Sequence, residues 1–298
     1  MNLLDIRDAI GVRLFGMNLS VEVNGGCTFR CPSCPVGNTG PRPGGVMDVG
    51  YFQRIIDKAT SEFRVRKFFP AIWNEPFLHP HLPELIAVAR RSSRVDRIII
   101  PTNLSVMDNM EAVLSEGPDE LTVSWSGFRH YEDYHRGGDL WEFLLNATEL
   151  SRLSRKYSDT KIVLLFHAYA DNHQDLDASR EYAEFMGFSF RTIDAVYRQF
   201  ERMLDGDYTD DDLALIKRLV REPWKILDER GRSDYCFFQN KWMMISSTGQ
   251  IEPCCLYDPS YYLGDYLSLT RPEIRRRKKQ MSFCSDVCKP AGGNNYYN

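Results

Sequence analysis

Two repeating patterns of apolar positions alternate along the first two hundred residues. Short stretches with alternating or continuous apolar positions predict strands at 19–24, 67–72, 97–100, 120–124, 161–168 and 188–193. Between them, apolar positions recur every three or four residues, which predicts helices at 51–62, 82–92, 108–115, 140–156 and 179–186. Gly187 follows the last helix and is a natural C-terminal cap.

This alternation predicts an α/β fold of parallel βα units with right-handed crossovers. Six strands are two short of a closed eight-unit barrel, so we expect a partial (β/α)6 TIM-like barrel over residues 1–200. Residues 201–234 are polar and helical in pattern, and we interpret them as a bridge. A small separate module is expected over 235–298, beginning with a hairpin whose arms flank Ser247-Thr248-Gly249.

Composition changes this picture little. Of the 298 residues, 43% are hydrophobic and the net charge is -4, which is typical of a globular protein and disfavours a nucleic-acid partner. The basic run at 275–279 is interpreted as a solvated helix face rather than a surface for RNA or an acidic partner. No apolar run approaches the roughly 20 residues that span a bilayer. Because residues 1–8 lack the features of a signal peptide, we expect a cytoplasmic protein without a membrane partner.

The eight cysteines fall into two groups. Clustered cysteines in a cytosolic chain more often bind metal or do redox chemistry than form disulfides. Cys27, Cys31 and Cys34 follow the first strand, where a barrel of this kind places its chemistry. Three thiolates on one loop can each hold one iron of a cubane cluster, which leaves the fourth iron open for a substrate or cofactor. Three buried cysteines, or three ligands of a zinc site, are the alternatives.

The C-x3-C-x2-C spacing after the first strand resembles the signature of the radical S-adenosylmethionine (SAM) superfamily. The segment from Trp73 to Pro80 resembles the superfamily's Gly-Glu-Pro motif, with Asn74 in place of glycine. The segments 101–103 and 123–127 resemble its Thr-Asn-Gly and Ser-hydrophobic-Asp-Gly motifs, the second with Ser126 in place of aspartate. The resemblance implies a catalytic [4Fe–4S] cluster and a SAM site, with SAM contacts from Glu75, Asn74, Thr102, Asn103, Ser124 and Arg136.

One departure from the superfamily concerns the residue before the third cysteine. An aromatic side chain that touches adenine is usual there, whereas this chain has Ser33. We therefore expect adenine packing to come from Phe29 or Pro35.

The second group of cysteines has a spacing of its own. Cys236-x12-Gly249-x4-Cys254, followed by Cys284-x3-Cys288, resembles the auxiliary-cluster modules called SPASM and, in shorter form, twitch. A full SPASM module has more cysteines, so the resemblance implies the twitch form with one auxiliary [4Fe–4S] cluster. Its ligands would be Cys236, Cys254, Cys284 and Cys288. A four-cysteine zinc site also explains this group, and the role of Cys255 stays open.

The resemblance implies a radical SAM oxidoreductase. Reductive cleavage of SAM yields a 5′-deoxyadenosyl radical that abstracts hydrogen from a substrate, and the auxiliary cluster then accepts an electron, as in twitch-type aminocyclitol dehydrogenases. The 26 residues before Cys27 leave no room for a peptide-binding domain, so we expect a small polar substrate such as a sugar, cyclitol or nucleoside. The electron donor would be a protein such as flavodoxin or ferredoxin. Candidates for the base are His167, Asp171 and Arg191.

Other functions stay open from the sequence. Peptide or protein modification, C–C or C–S bond formation, decarboxylation and epimerisation all share the same first step. An iron–sulfur electron carrier or sensor is the non-enzymatic alternative, but such a protein has no need of the Glu75 motif as an amine site.

Overall fold

The computed structural model describes residues 16–31, 34, 44–195, 214, 236–255, 257 and 261–288. The predicted bridge lies outside this part of the chain except for residue 214, and so does Pro35.

Within these residues, eight strands form two neighbouring four-stranded sheets. The strands are β1 (Met17–Val21), β2 (Val65–Phe69), β3 (Ile99–Thr102), β4 (Glu120–Trp125), β5 (Lys161–Ala168), β6 (Ser189–Asp194), β7 (Trp242–Ile245) and β8 (Ile251–Glu252). Their orders are β2-β1-β7-β8 and β3-β4-β5-β6. Every pairing is parallel except that between β7 and β8. Isolated parallel bridges from Val65 and Phe68 to the chain before β3 connect the sheets at one edge, giving a partial barrel.

The helices pack around these strands. They are α1 (Val49–Glu62), α2 (Leu82–Arg91), α3 (Met110–Ser115), α4 (Tyr131–Tyr134), α5 (Leu140–Lys156), α6 (Leu176–Met186), α7 (Phe237–Lys241) and α8 (Arg271–Lys279). The predicted βα order is confirmed, and the predicted ends of α5 and β5 agree with the structure. Asp139 caps α5 by accepting from Glu142 N at 2.8 Å, and Gly187 ends α6 with φ 76°.

Burial explains why the apolar pattern folds this way. On α1 the buried side chains are Phe52, Ile55, Ile56 and Ala59, which lie on one helical face. The middle of β5 is buried at successive positions because helices cover one face of the sheet and the barrel interior the other. Each large apolar side chain removed from water in this way contributes about 1.5–3 kcal/mol.

The predicted hairpin is confirmed, and the structure adds its position. β7 pairs in parallel with β1, from Asn18 opposite Trp242 to Val21 opposite Ile245, so the hairpin extends the barrel sheet. The domain boundary at 235 stays a prediction.

Helix α8 contains the basic run. One of its residues does not lie on the predicted solvated face, because Lys278 is only 2% exposed.

Gly249, in the turn between β7 and β8, allows a stability prediction. Its φ is +78°, and a Cβ at this position would overlap the hydroxyl of Tyr51 on α1. We expect Gly249→Ala to lower the free energy of unfolding by about 2–5 kcal/mol, from left-handed backbone strain and overpacking together.

Gly187→Ala is the matched control for this substitution. Its φ is +76°, but no described atom lies within 4 Å of the new Cβ, so only the backbone cost of about 1–2 kcal/mol remains. Urea denaturation of both variants measures the difference, and equal losses would show that the contact with Tyr51 is unimportant.

Candidate functional site

A cavity of about 280 Å³ opens at the carboxyl ends of the parallel strands. This is the end at which barrels of this type place their working residues. Each of the strands β1 to β6 contributes to it, either from its own residues or from the loop that follows. The polar and sulfur-containing lining residues are Cys27, Cys31, Cys34, Asn74, Glu75, Thr102, Asn103, Thr122, Ser124, His135, His167, Tyr169 and Asp194. The first cysteine group and most of the predicted SAM contacts therefore lie around one space.

The loop after β1 is fastened to the loop after β2 by backbone and amide hydrogen bonds. Asn24 Nδ2 donates to the carbonyl of Glu75 at 2.9 Å, and Asn24 Oδ1 accepts from Gly26 N at 2.8 Å. Glu75 N in turn donates to the carbonyl of Gly26 at 3.0 Å. Asn24 holds the cysteine loop in place, a role that its position at a predicted strand end did not indicate.

The carboxylate of Glu75 joins the second and third loops. It is 1% exposed and accepts from Thr102 Oγ1 at 2.9 Å, from Asn103 N at 2.7 Å and from Phe77 N at 3.2 Å. Burial raises the pKa of Glu75 to about 7, although these three donors act to lower it. A cation in the cavity would restore its negative charge.

Asn103 connects the Glu75 carboxylate to the first cysteine. Its side-chain Nδ2 lies 3.5 Å from Cys27 Sγ and 3.0 Å from Thr28 Oγ1. Burial raises the pKa of the Cys27 thiol to about 12 and that of Cys31 well above its ordinary value. Such cysteines stay neutral without a cation, whereas a metal displaces their protons. Three partly buried thiols that line one cavity are a donor set that suits an iron–sulfur cluster.

The far wall of the cavity carries polar groups from β4 and β5. Ser124 and Thr122 come from β4, and His167 comes from the end of β5. His135, which the sequence did not indicate, also lines the cavity, and neither ring nitrogen has a hydrogen-bond partner among the described residues. Its ring stacks on Tyr131 with centroids 4.7 Å apart, and burial lowers its pKa to about 3.

Two of the predicted SAM contacts do not line the cavity. Phe29 belongs to the cysteine loop and is buried; its ring meets that of His135 edge-on at 5.8 Å and leaves no room for a Cβ at Gly138. Arg136 has an exposed side chain, and its carbonyl accepts from Arg30 N at 2.7 Å. Both residues help to hold this loop, and their predicted contacts with SAM stay predictions.

Two of the three predicted bases also lie away from the cavity wall. Arg191 is exposed and forms an ion pair with Glu120, at 3.1 Å, near the opposite end of the strands. Asp171 follows β5, and its carbonyl accepts from Gln174 Nε2 at 2.9 Å. Of the three, only His167 lines the cavity.

A second, smaller cavity gathers the cysteines of the second group. Cys236, Cys254, Cys284 and Cys288 all line it, together with Lys278. Burial lowers the pKa of Lys278 to about 8, and the neighbouring Cys254, Cys236 and Cys284 act in the opposite direction. Cys255 does not line this cavity and packs instead in an apolar cluster with Trp73.

Within the described part of the chain, no three His, Cys, Asp or Glu side chains are close enough together to hold a single metal ion. A cubane separates its ligands further than a single ion does, because each cysteine sulfur binds a different iron.

Among the described helices, none has the length and apolarity to cross a membrane.

Comparison with known proteins agrees with this architecture. No protein-family model matches the sequence. The GTP 3',8-cyclase of Chlorobaculum tepidum is 29% identical over 105 residues, which is 35% of this chain and 31% of the cyclase. The chain thus matches about a third of the cyclase's length.

Three solved structures cover most of the chain. For anSMEcpe with bound AdoMet (SAM), the TM-score is 0.58 at 17% identity, over 87% of this chain and 79% of that one. For BtrN in complex with AdoMet and 2-DOIA, it is 0.51 at 15% identity, over 93% of this chain and 88% of that one. For Streptococcus suis SuiB bound to precursor peptide SuiA, it is 0.57 at 13% identity, over 92% and 70%. The chain therefore has the partial-barrel fold of these proteins.

Proposed function

We propose that this protein is a radical SAM enzyme that acts on a small polar substrate. The observation that carries the proposal is the convergence of Cys27, Cys31 and Cys34 with Glu75 on one cavity at the carboxyl ends of the barrel strands. The sequence motifs resemble those of the superfamily, and the fold is that of proteins solved with bound AdoMet.

The cysteines would hold a [4Fe–4S] cluster, which when bound supplies the electron that cleaves SAM to methionine and a 5′-deoxyadenosyl radical. The residues of this chain bind and orient the reactants. Glu75 offers a buried carboxylate to the amino group of SAM, and Thr102 and Asn103 hold that carboxylate in place. Asn103 also stabilises negative charge on the sulfur of Cys27.

The cavity wall supports the proposed substrate class. Ser124, Thr122, His167 and His135 offer hydroxyl and imidazole groups that suit a substrate with several hydrogen-bonding groups. The cavity volume lies near the lower end for small-molecule sites, which favours a sugar, cyclitol or nucleoside. In a dehydrogenation, His167 is the predicted base that can reach such a substrate, since it lines the cavity. Arg136, Phe29, Asp171 and Arg191 are not proposed for direct contact.

An auxiliary [4Fe–4S] cluster on Cys236, Cys254, Cys284 and Cys288 would make the reaction a two-electron oxidation. The substrate radical would lose a proton to a base and an electron to this cluster. One apolar cluster contains Trp73 and Cys236 and touches Cys27 and Cys34, so the two cysteine groups lie on one continuous region of packed side chains. This proximity supports electron transfer between substrate and the second site.

Anaerobic reconstitution tests the two-cluster proposal. We expect about eight irons per chain and formation of 5′-deoxyadenosine from SAM with dithionite. Replacing Cys236, Cys254, Cys284 and Cys288 with alanine should remove about four irons but leave SAM cleavage in place. Zinc in the second site would rule out the oxidative electron path, and absence of both iron and SAM cleavage in the wild-type protein would refute the whole proposal.

Ring formation on a nucleotide is a second candidate. It rests on the likeness of part of the chain to GTP 3',8-cyclase, whose name states its substrate. Radical reactions of this kind share SAM cleavage, so product analysis with candidate cyclitols and nucleotides distinguishes them from dehydrogenation.

A further inference from the structure

Lys278 differs from the other basic residues of helix α8 in being buried. It is 2% exposed, whereas its neighbours Arg277 and Lys279 lie on the exposed side of the helix. Its side chain extends into the region between α7 and α8 and lines the second cavity with the four cysteines. The ammonium group of a buried lysine has lost its hydration. This desolvation costs free energy unless other groups accept its hydrogen bonds or balance its charge.

Two backbone carbonyls account for part of this compensation. Lys278 Nζ donates to the carbonyl of Phe238 at 3.0 Å and to that of Trp242 at 2.8 Å. An ammonium has three N–H donors, so one is left over. Among the described residues, no carboxylate pairs with Nζ, and the ionisable groups that act on it are the thiols of Cys254, Cys236 and Cys284. The carbonyls orient the ammonium but do not neutralise its charge.

We propose that Lys278 is the counter-charge of the metal centre in the second cavity, and that it raises the reduction potential of that centre. This inference rests on the proposed function, because it requires a cluster on the four cysteines. A cluster held by four thiolates is a net anion, and Lys278 is the only charged side chain among the described residues that line this cavity. Reduction by one electron adds negative charge, so a fixed cation nearby stabilises the reduced form more than the oxidised form.

Lys278 therefore acts through the second centre, whose reduction potential it sets, and does not touch the substrate. It makes the second centre a better acceptor for the electron that the substrate radical releases. Because it is held by two carbonyls of the chain that follows Cys236, its ammonium keeps a constant place beside the cysteines.

The test compares Lys278→Met with Lys279→Met in reconstituted protein. Methionine keeps an unbranched side chain one atom shorter than that of lysine and without its charge, and Lys279 is the exposed neighbour on the same helix. The reduction potential of the second centre is measured by a redox titration followed by electron paramagnetic resonance, beside iron and sulfide counts. Lys278→Arg, which keeps the charge, is a third variant.

We expect Lys278→Met to shift the potential to more negative values, or to lose the iron of the second centre while the circular dichroism spectrum is retained. Lys279→Met and Lys278→Arg should keep the wild-type iron content and a potential close to that of the wild type. Wild-type iron and potential in Lys278→Met would overturn the inference. Equal unfolding of Lys278→Met and Lys278→Arg would also overturn it, because packing rather than charge would then matter. Wild-type protein without a second cluster would instead refute the auxiliary-cluster proposal itself.

Discussion

Replacement of Cys27, Cys31 and Cys34 by alanine is expected to abolish formation of 5′-deoxyadenosine from SAM. The three thiols line one cavity, and the cluster proposed on them would supply the electron that cleaves SAM. The variant should lose about four irons and keep about four, those of the second site. Iron and sulfide counts, together with chromatographic detection of 5′-deoxyadenosine after addition of dithionite, measure both effects.

Cys255→Ala is the matched control for this triple replacement. Cys255 is buried, whereas the three replaced cysteines are only partly buried, and it lines neither cavity. It should keep the full iron content and the wild-type rate of SAM cleavage. Persistent SAM cleavage in the triple variant, with its fold intact by circular dichroism, would contradict the assignment of the first site.

Glu75→Gln is expected to weaken SAM binding by at least about thirty-fold. Removing one charge from a buried charged pair costs about 2–5 kcal/mol, and each 1.4 kcal/mol is about a factor of ten. The amide also places an N–H group where Asn103 N now donates to the carboxylate at 2.7 Å. Calorimetric titration of reconstituted protein with SAM measures the loss, at an iron content that should stay near the wild-type value.

Glu84→Gln is the control for Glu75→Gln. Glu84 is an exposed acid on α2 that pairs with His81, so its replacement should leave SAM affinity unchanged. If Glu75→Gln bound SAM as tightly as the wild type, the carboxylate would serve only to join the loops through Thr102 and Asn103.

The same carboxylate makes SAM affinity depend on pH. Burial raises the pKa of Glu75 to about 7 in the ligand-free protein, and only the ionised form pairs with an ammonium. Affinity should therefore rise by roughly eight-fold between about pH 6 and 7.5, and Glu75→Gln should abolish this rise.

The contribution of Glu75 to folding stability changes with pH in the opposite direction. Because the pKa in the folded protein is above its unfolded value, the stabilising contribution of Glu75 is full below about pH 4.5 and is lost as pH rises through about 7.

Much of the barrel could be predicted from the sequence. Strand and helix patterns depend on neighbours within a few positions of one another, so the order of βα units and the ends of α5 and β5 were predicted correctly. The first cysteine motif and the Glu75 motif are also local patterns. Because barrel enzymes place their working residues at the carboxyl ends of the strands, the two motifs were expected near each other, and both line one cavity.

The local pattern does not show whether a side chain reaches the cavity at the carboxyl ends of the strands. Arg191 was a reasonable candidate base because it lies in β6, but its side chain reaches Glu120 rather than the cavity. Phe29 lies two residues after the first cysteine, and yet its ring packs against His135 and does not line the cavity. A sequence position near the motif does not say which way a side chain extends.

By itself, the sequence determined the βα alternation, the grouping of cysteines and the residue types available for chemistry, because each depends on local spacing. Only the tertiary structure decided that β7 extends the sheet beside β1, that His135 lines the cavity, that Asn24 fastens the cysteine loop and that Lys278 is buried beside the second cysteines. Each of these depends on which distant segments meet, and the contacts that bring Asn24 to Glu75 or Lys278 to Phe238 leave no periodic signal in the chain.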